Sequence, residues 1–144
     1  MANTIIADSG FWIALFDRSD RYHLRSAAAY QDTIDGLYTT WPVLTETCHF
    51  LGARVHKKAQ QDFVTAIIDG VARVMHQDTA DLQRMHALME KYEDLPMDLA
   101  DASLVVLAER LGHGRIFSTD LRDFNAYKWK NRKPFENLLL PEFA

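Results

Sequence analysis

Short β-branched runs alternate with helical stretches along this chain, and that alternation limits the fold more than any other feature. Thr4 to Ala7, Leu37 to Thr40, Val71 to Met75 and Arg115 to Thr119 read as strands, and Phe135 to Leu140 as an edge strand. FWIALF opens a helix with Ser9 near its N-cap, and the Ala-rich stretch Tyr22 to Ile34 ends at Gly36. Pro42 suits the first turn of a helix that carries Glu46 and runs to about Val55. Ala59 to Ile68 follows, closed by Gly70; Leu82, Met85, Met89 and Tyr92 then recur at three- and four-residue intervals as one apolar stripe. Pro96 breaks the chain before Asp98 to Leu111, which is apolar almost all round and predicts a buried helix closed by Gly112. Strands separated by helices predict an α/β fold of Rossmann type, with a mainly parallel sheet of about five strands covered on both faces. Ligands of such sheets bind beyond the carboxyl ends of the strands.

No repeat, low-complexity tract or Gly/Pro-rich linker divides the sequence, so residues 1–144 read as one domain. The 48% hydrophobic content is enough for a core, and no apolar run has the roughly 20 residues of a membrane span. MANTIIAD lacks the basic and apolar regions of a secretion signal, and the lone Cys48 suits a reducing, cytoplasmic setting. A net charge of −4 gives no global attraction for nucleic acid.

The alternation raises a question at RIFSTDLRDF, where an apolar run ends and carboxylates follow at Asp120 and Asp123. Asp8 stands at the same end of the first strand. Either aspartate alone has an ordinary explanation as a helix cap. Together in a partly dry cleft they repel, so one carries a proton with a raised pKa or a cation sits between them. Oxygen ligands of this kind suit Mg²⁺ or Mn²⁺. Glu46, one turn inside its helix, and Asp101, on the first turn of the greasy helix, can join them. Asp98 fits an N-cap, with Asp101 at the third helical position; Asp123 fits a cap or an ion pair with Arg122.

Other chemistries lack their residues. There is no Walker loop, GxGxxG, HExxH or G-x-S-x-G, nor the second Asp of a phosphoaspartyl phosphatase. His49 and His56, seven apart, share a helix face but are too few for a zinc site. Cys48 reads as an inert core thiol.

ADS at Asp8, TTWPVLTE ending in Glu46, LADASLV around Asp101 and STDLRDF around Asp120 together resemble the four motifs of the PIN (PilT N-terminus) domain family, and in particular its VapC-type toxins. DRSDRYH is similar to that family's acidic–His loop. The resemblance runs from about position 4 to position 125. It implies a strand order of 3-2-1-4-5 and a ribonuclease in which Asp8, Glu46, Asp101 and Asp120 hold one or two Mg²⁺ or Mn²⁺ ions. Ser9 or Thr119 would orient a ligand or a water. It also implies an RNA substrate, a cognate antitoxin and a homodimer. A solitary RNA-processing nuclease and a non-catalytic binding domain are the alternatives within the family. Local basic patches must then meet the RNA. RVHKK (Arg54, Lys57, Lys58) ends the Glu46 helix, and YKWKNRK (Lys128, Lys130, Arg132, Lys133) mixes cations with Tyr127 and Trp129 as single-stranded RNA would require.

Overall fold

The computed structural model describes residues 3–143. Five strands form a parallel sheet: β1 (Thr4–Ala7), β2 (Gly36–Thr40), β3 (Arg73–Met75), β4 (Arg115–Phe117) and, after a separate hairpin of β5 (Lys128–Trp129) and β6 (Lys133–Pro134), β7 (Glu136–Asn137). Their order is β3-β2-β1-β4-β7 with parallel pairing throughout, as the motif resemblance implies. The central strand carries the driest pattern: all four residues of β1 are buried. A strand flanked on both edges and both faces has no wet side, which is why TIIA shows no polar alternation.

Around the sheet lie α1 (Ser9–Phe16), α2 (His23–Asp32), α3 (Trp41–Phe50), α4 (Lys57–Ile68), α5 (Thr79–Lys91), α6 (Leu99–Leu111) and α7 (Asp123–Ala126). The expected greasy helix is α6, and Ala102 through Ala108 are all buried. It packs against α3, α5 and the first two strands, which leaves its middle no solvent face to make polar. Gly112 closes it in the left-handed region at φ 79°, which an L side chain adopts only with strain. Among the described residues no helix is long and apolar enough to cross a membrane.

Four local expectations shift. Asp8, not Ser9, is the N-cap of α1, accepting from the Ser9 N–H at 2.6 Å. The Glu46 helix does reach Val55, but as α3 followed by a wider π-type turn over Leu51–Val55. There Gln60 donates to the Cys48 carbonyl at 2.7 Å, entering where a side chain on Gly52 would collide with it. Lys57 and Lys58 therefore open α4 rather than end the preceding helix. His56 is that helix's cap, accepting from the Ala59 N–H at 3.0 Å, so it shares no helix face with His49. Finally, strand pairing stops at Phe117, and the edge strand shrinks to Glu136–Asn137. Ser118 and Thr119 are thereby freed to turn the backbone toward the cleft.

Candidate active site

The carboxyl ends of β1, β2 and β4 meet the first turns of α1, α3 and α6. Asp8 follows β1, Asp120 lies just beyond β4, Glu46 is one turn into α3, and Asp101 is on the first turn of α6. A cleft of about 290 Å³ gathers all four, with Asp98 and Asp123 beside them and Ser9, Gly10, Pro96 and Thr119 completing its walls. Among the described residues no basic side chain lines it.

The acids are graded by depth. Asp8 is buried, Asp101 and Asp120 are half-buried, and Glu46 and Asp98 stand exposed at the rim. Burial pushes the Asp8 carboxyl up to about 7, overriding the opposing hydrogen bonds from Ser9 and Ser118, with the charges of Glu46 and Asp120 adding to the rise. Burial also raises Asp101 to about 8, and the charges of Asp8 and Asp98 push the same way. Glu46 and Asp120 are raised too, chiefly by burial; Asp98 presses on the first and Asp123 on the second. Among the described residues no three carboxylates already converge tightly enough to hold an ion.

Asp8 is held through both oxygens, and each of the other three acids through one. Asp8 Oδ1 accepts from the Ser9 N–H and Oδ2 from the Ser118 hydroxyl at 3.0 Å. The Ser9 hydroxyl also donates to Glu46 Oε1, tying α1 to α3. Asp120 Oδ1 accepts from the N–H groups of Arg122 (3.1 Å) and Asp123 (2.8 Å), bracing the turn that leads into α7. Asp101 Oδ2 accepts from the Tyr127 hydroxyl at 3.1 Å. Capping and site-building are thus not rivals here: one oxygen holds the fold while Asp101 Oδ1, Asp120 Oδ2 and Glu46 Oε2 receive no N–H or hydroxyl from the described residues. Three hard oxygens from three elements, with surplus negative charge and no protein cation, fit a small divalent ion.

The remaining expected residues are distributed as follows. Asp98 caps α6, accepting from the Asp101 N–H at 2.8 Å, and also faces Glu46 in the cleft. The reciprocal half of a capping box is not formed, because Asp101 turns to Tyr127 instead. Asp123 pairs with Arg122 at 3.1 Å, as its position suggested. The Ser9 hydroxyl donates to Asp8 Oδ1 at 3.3 Å and to Glu46 Oε1. Thr119 lines the cleft but its hydroxyl packs on Gly10, where an added Cβ would lie 2.0 Å from Oγ1. The hydroxyl that holds a carboxylate is its neighbour Ser118, which also accepts from the Asp120 N–H at 3.0 Å.

The basic groups lie outside the cleft. Arg54, Lys57 and Lys58 are exposed around the start of α4, and Lys58 is paired with Asp62 at 3.1 Å. Lys128, Lys130 and Lys133 belong to the β5–β6 hairpin. It runs down α6, so the Lys130 N–H reaches Glu109, about two turns beyond Asp101. Trp129 is buried against Gly114 at the amino end of β4, with the Lys130 and Lys133 ammonium groups over its ring.

Three contributors were not among the candidate residues. Ser118 was masked by its neighbour Thr119, and Tyr127 by the basic run that contains it. Asn137, in the edge strand, accepts from the Ser118 N–H at 3.3 Å and donates to its carbonyl at 3.0 Å, fixing the turn that delivers Asp120.

Residues 5–130 match the family described as PIN domain. Ribonuclease VapC26 of Mycobacterium tuberculosis is 25% identical over 124 residues, a match that spans 86% of this chain and 92% of that protein. The crystal structure of Mycobacterium tuberculosis VapC20, a sarcin-ricin loop cleaving toxin, aligns with a TM-score of 0.77 at 19% identity, covering 82% of this chain and 91% of the other.

Proposed function

The chain belongs to the PIN domain family, and from that membership we propose that it is a VapC-type endoribonuclease, the toxin of a toxin–antitoxin pair, that cuts RNA with Mg²⁺ or Mn²⁺. The observation that carries this reading is the convergence of Asp8, Glu46, Asp101 and Asp120 on one small cleft with no basic residue in its walls. A divalent ion held there supplies positive charge that acidifies an attacking water and stabilises the leaving oxygen of a phosphodiester.

Within that scheme Asp8 is the buried anchor, held by Ser9 and Ser118, and Asp101, Asp120 and Glu46 offer their unclaimed oxygens. Ser9 keeps Glu46 at the rim, and Asn137 and Ser118 keep Asp120 at the strand mouth. The cleft's negative charge repels a phosphate until an ion offsets it, so substrate engagement depends on the metal. The basic hairpin and the Arg54–Lys58 region stand away from the cleft, and as RNA contacts they would hold flanking nucleotides rather than the scissile phosphate. A cognate antitoxin that blocks the cleft, a homodimer and a cytoplasmic site of action belong to the same reading.

Partner-free protein should cut single-stranded or loop RNA with Mn²⁺ and stop on EDTA, and its expression should arrest growth where Asp120→Asn does not. Cleavage of a DNA flap with no RNA cut by any metal, and no growth arrest, would replace the ribonuclease reading.

A further inference from the structure

One hydroxyl that reaches a cleft acid from the enclosed core is that of Tyr127. Tyr127 is fully enclosed, and its hydroxyl is spent on a single partner, Asp101 Oδ2 at 3.1 Å. Its ring is fixed by edge-to-face contacts with Tyr92 (centroids 5.1 Å apart) and Phe124 (5.2 Å). The backbone that delivers it begins at another acid of the cleft. Asp120 Oδ1 accepts from the Asp123 N–H at 2.8 Å where α7 begins, and the Tyr127 N–H closes that single turn on the Asp123 carbonyl at 2.8 Å. One helical turn therefore connects two carboxylates across the cleft, bonded to the first at its start and presenting a hydroxyl to the second.

We infer that Tyr127 is a positioning residue for the metal site: its hydroxyl takes one oxygen of Asp101, fixes the rotamer, and leaves the other oxygen for a divalent ion. The inference rests on the metal-dependent reading above and deepens it. A carboxylate on the first turn of a helix has free rotation about two bonds, and the ordinary capping-box contact would swing it back toward Asp98. A fixed donor from a separate segment prevents that. Outer partners of ligating carboxylates hold ligand orientation in this way, and losing one costs about 10- to 100-fold in metal affinity.

The test uses EDTA-stripped full-length protein, with Mn²⁺ as the probe in calorimetry. Tyr127→Phe removes one hydroxyl and keeps the ring; it should weaken Mn²⁺ about tenfold without lowering the melting temperature in EDTA. Its RNA cleavage should fall at limiting Mn²⁺ and recover when Mn²⁺ is raised, a change in metal requirement rather than in maximal rate. Tyr92→Phe is the control for packing. It alters the same aromatic cluster, where its hydroxyl accepts from the Lys128 N–H at 3.0 Å, but touches no acid of the cleft. Mn²⁺ affinity unchanged in Tyr127→Phe, or weakened equally in Tyr92→Phe, would overturn the positioning role. Wild-type protein that binds no Mn²⁺ would instead overturn the metal reading on which the inference stands.

Discussion

Glu109 and Asp81 meet arginines, whereas Asp8, Asp101, Asp120 and Glu46 meet one another. On the α5–α6 face, Arg84 grips Glu109 with two hydrogen bonds (2.9 and 3.1 Å) and Arg110 grips Asp81 at 2.6 Å. Burial pushes both carboxyls up, yet the guanidinium hydrogen bonds and charges hold them below the usual range. In the cleft burial acts in the same direction with nothing to oppose it but neutral donors, and the pKa values rise. The same fold thus supplies cations where helices must be fastened and withholds them where strands end. A protein that places arginine two turns along α6 from Asp101 leaves Asp101 without one, and under the proposed reading its cation comes from outside.

The largest expected effect separates the two groups. Asp101→Asn or Asp120→Asn should abolish RNA cleavage and Mn²⁺ binding while the fold survives. Glu109→Gln should do the reverse, losing about 1–3 kcal/mol of stability with Mn²⁺ affinity intact. Calorimetry and thermal melts on the three variants decide it. Equal loss of metal binding in Glu109→Gln would mean the α5–α6 network and the cleft are one unit.

That division was only half legible in the sequence. Alternating strands and helices exposed the sheet, and the four acids at strand mouths and first helical turns exposed the cleft, because both depend on local pattern. The arginine clamps and the hold on each carboxylate depend on which elements pack together. Nothing about Asn137 in a two-residue edge strand signals that it fixes Ser118, more than fifteen positions earlier. Lys128 to Lys133 illustrate the opposite failing: composition grouped them as one basic patch, whereas the hairpin turns Trp129 inward and sets the Lys130 and Lys133 ammonium groups over its ring. Ser118 and Thr119 look equivalent on paper, and only the end of strand pairing at Phe117 decides which hydroxyl meets Asp8.

A pH titration sharpens the contrast. The cleft carboxyls have folded-state pKa values of about 7 (Asp8) and about 8 (Asp101), above their ordinary value of 3.8. Between roughly pH 4 and 8 the folded state binds more protons at these sites than the unfolded chain does, so stability falls as pH rises through that window. Glu109 and Asp81 have the opposite sign, and their contribution is lost only on acidification. Melting temperatures in EDTA should therefore decline from pH 5 toward pH 8. Asp101→Asn should flatten the decline and exceed wild type at pH 8. An unchanged profile in that variant would show that Asp101 is ionised in the fold without cost.

Neutralising Lys130 and Lys133 should have a smaller effect, confined to binding. If both touch phosphates, RNA affinity falls and the salt dependence flattens by about one unit of slope per lost contact, while the rate at saturating RNA is kept. A reduced saturating rate would place the hairpin closer to the chemistry than its distance along α6 implies.

The smallest expected effect belongs to Asp98, which stands on the border between the two kinds of acid. Its side chain caps α6 through the Asp101 N–H, a structural task, yet it also lines the cleft and raises the pKa of Glu46. Asn accepts the same capping hydrogen bond, so Asp98→Asn should melt as wild type does, whereas Asp98→Ala should lose about 1 kcal/mol. If Asp98 only caps, Asp98→Asn should also cut RNA at nearly the wild-type rate, because the charge it removes was repelling Glu46 rather than holding an ion. If Mn²⁺ binding collapses in Asp98→Asn at unchanged melting temperature, the carboxylate is a ligand. The cleft would then use five acids, and the charge of Asp98 would belong to the metal despite its position as a helix cap.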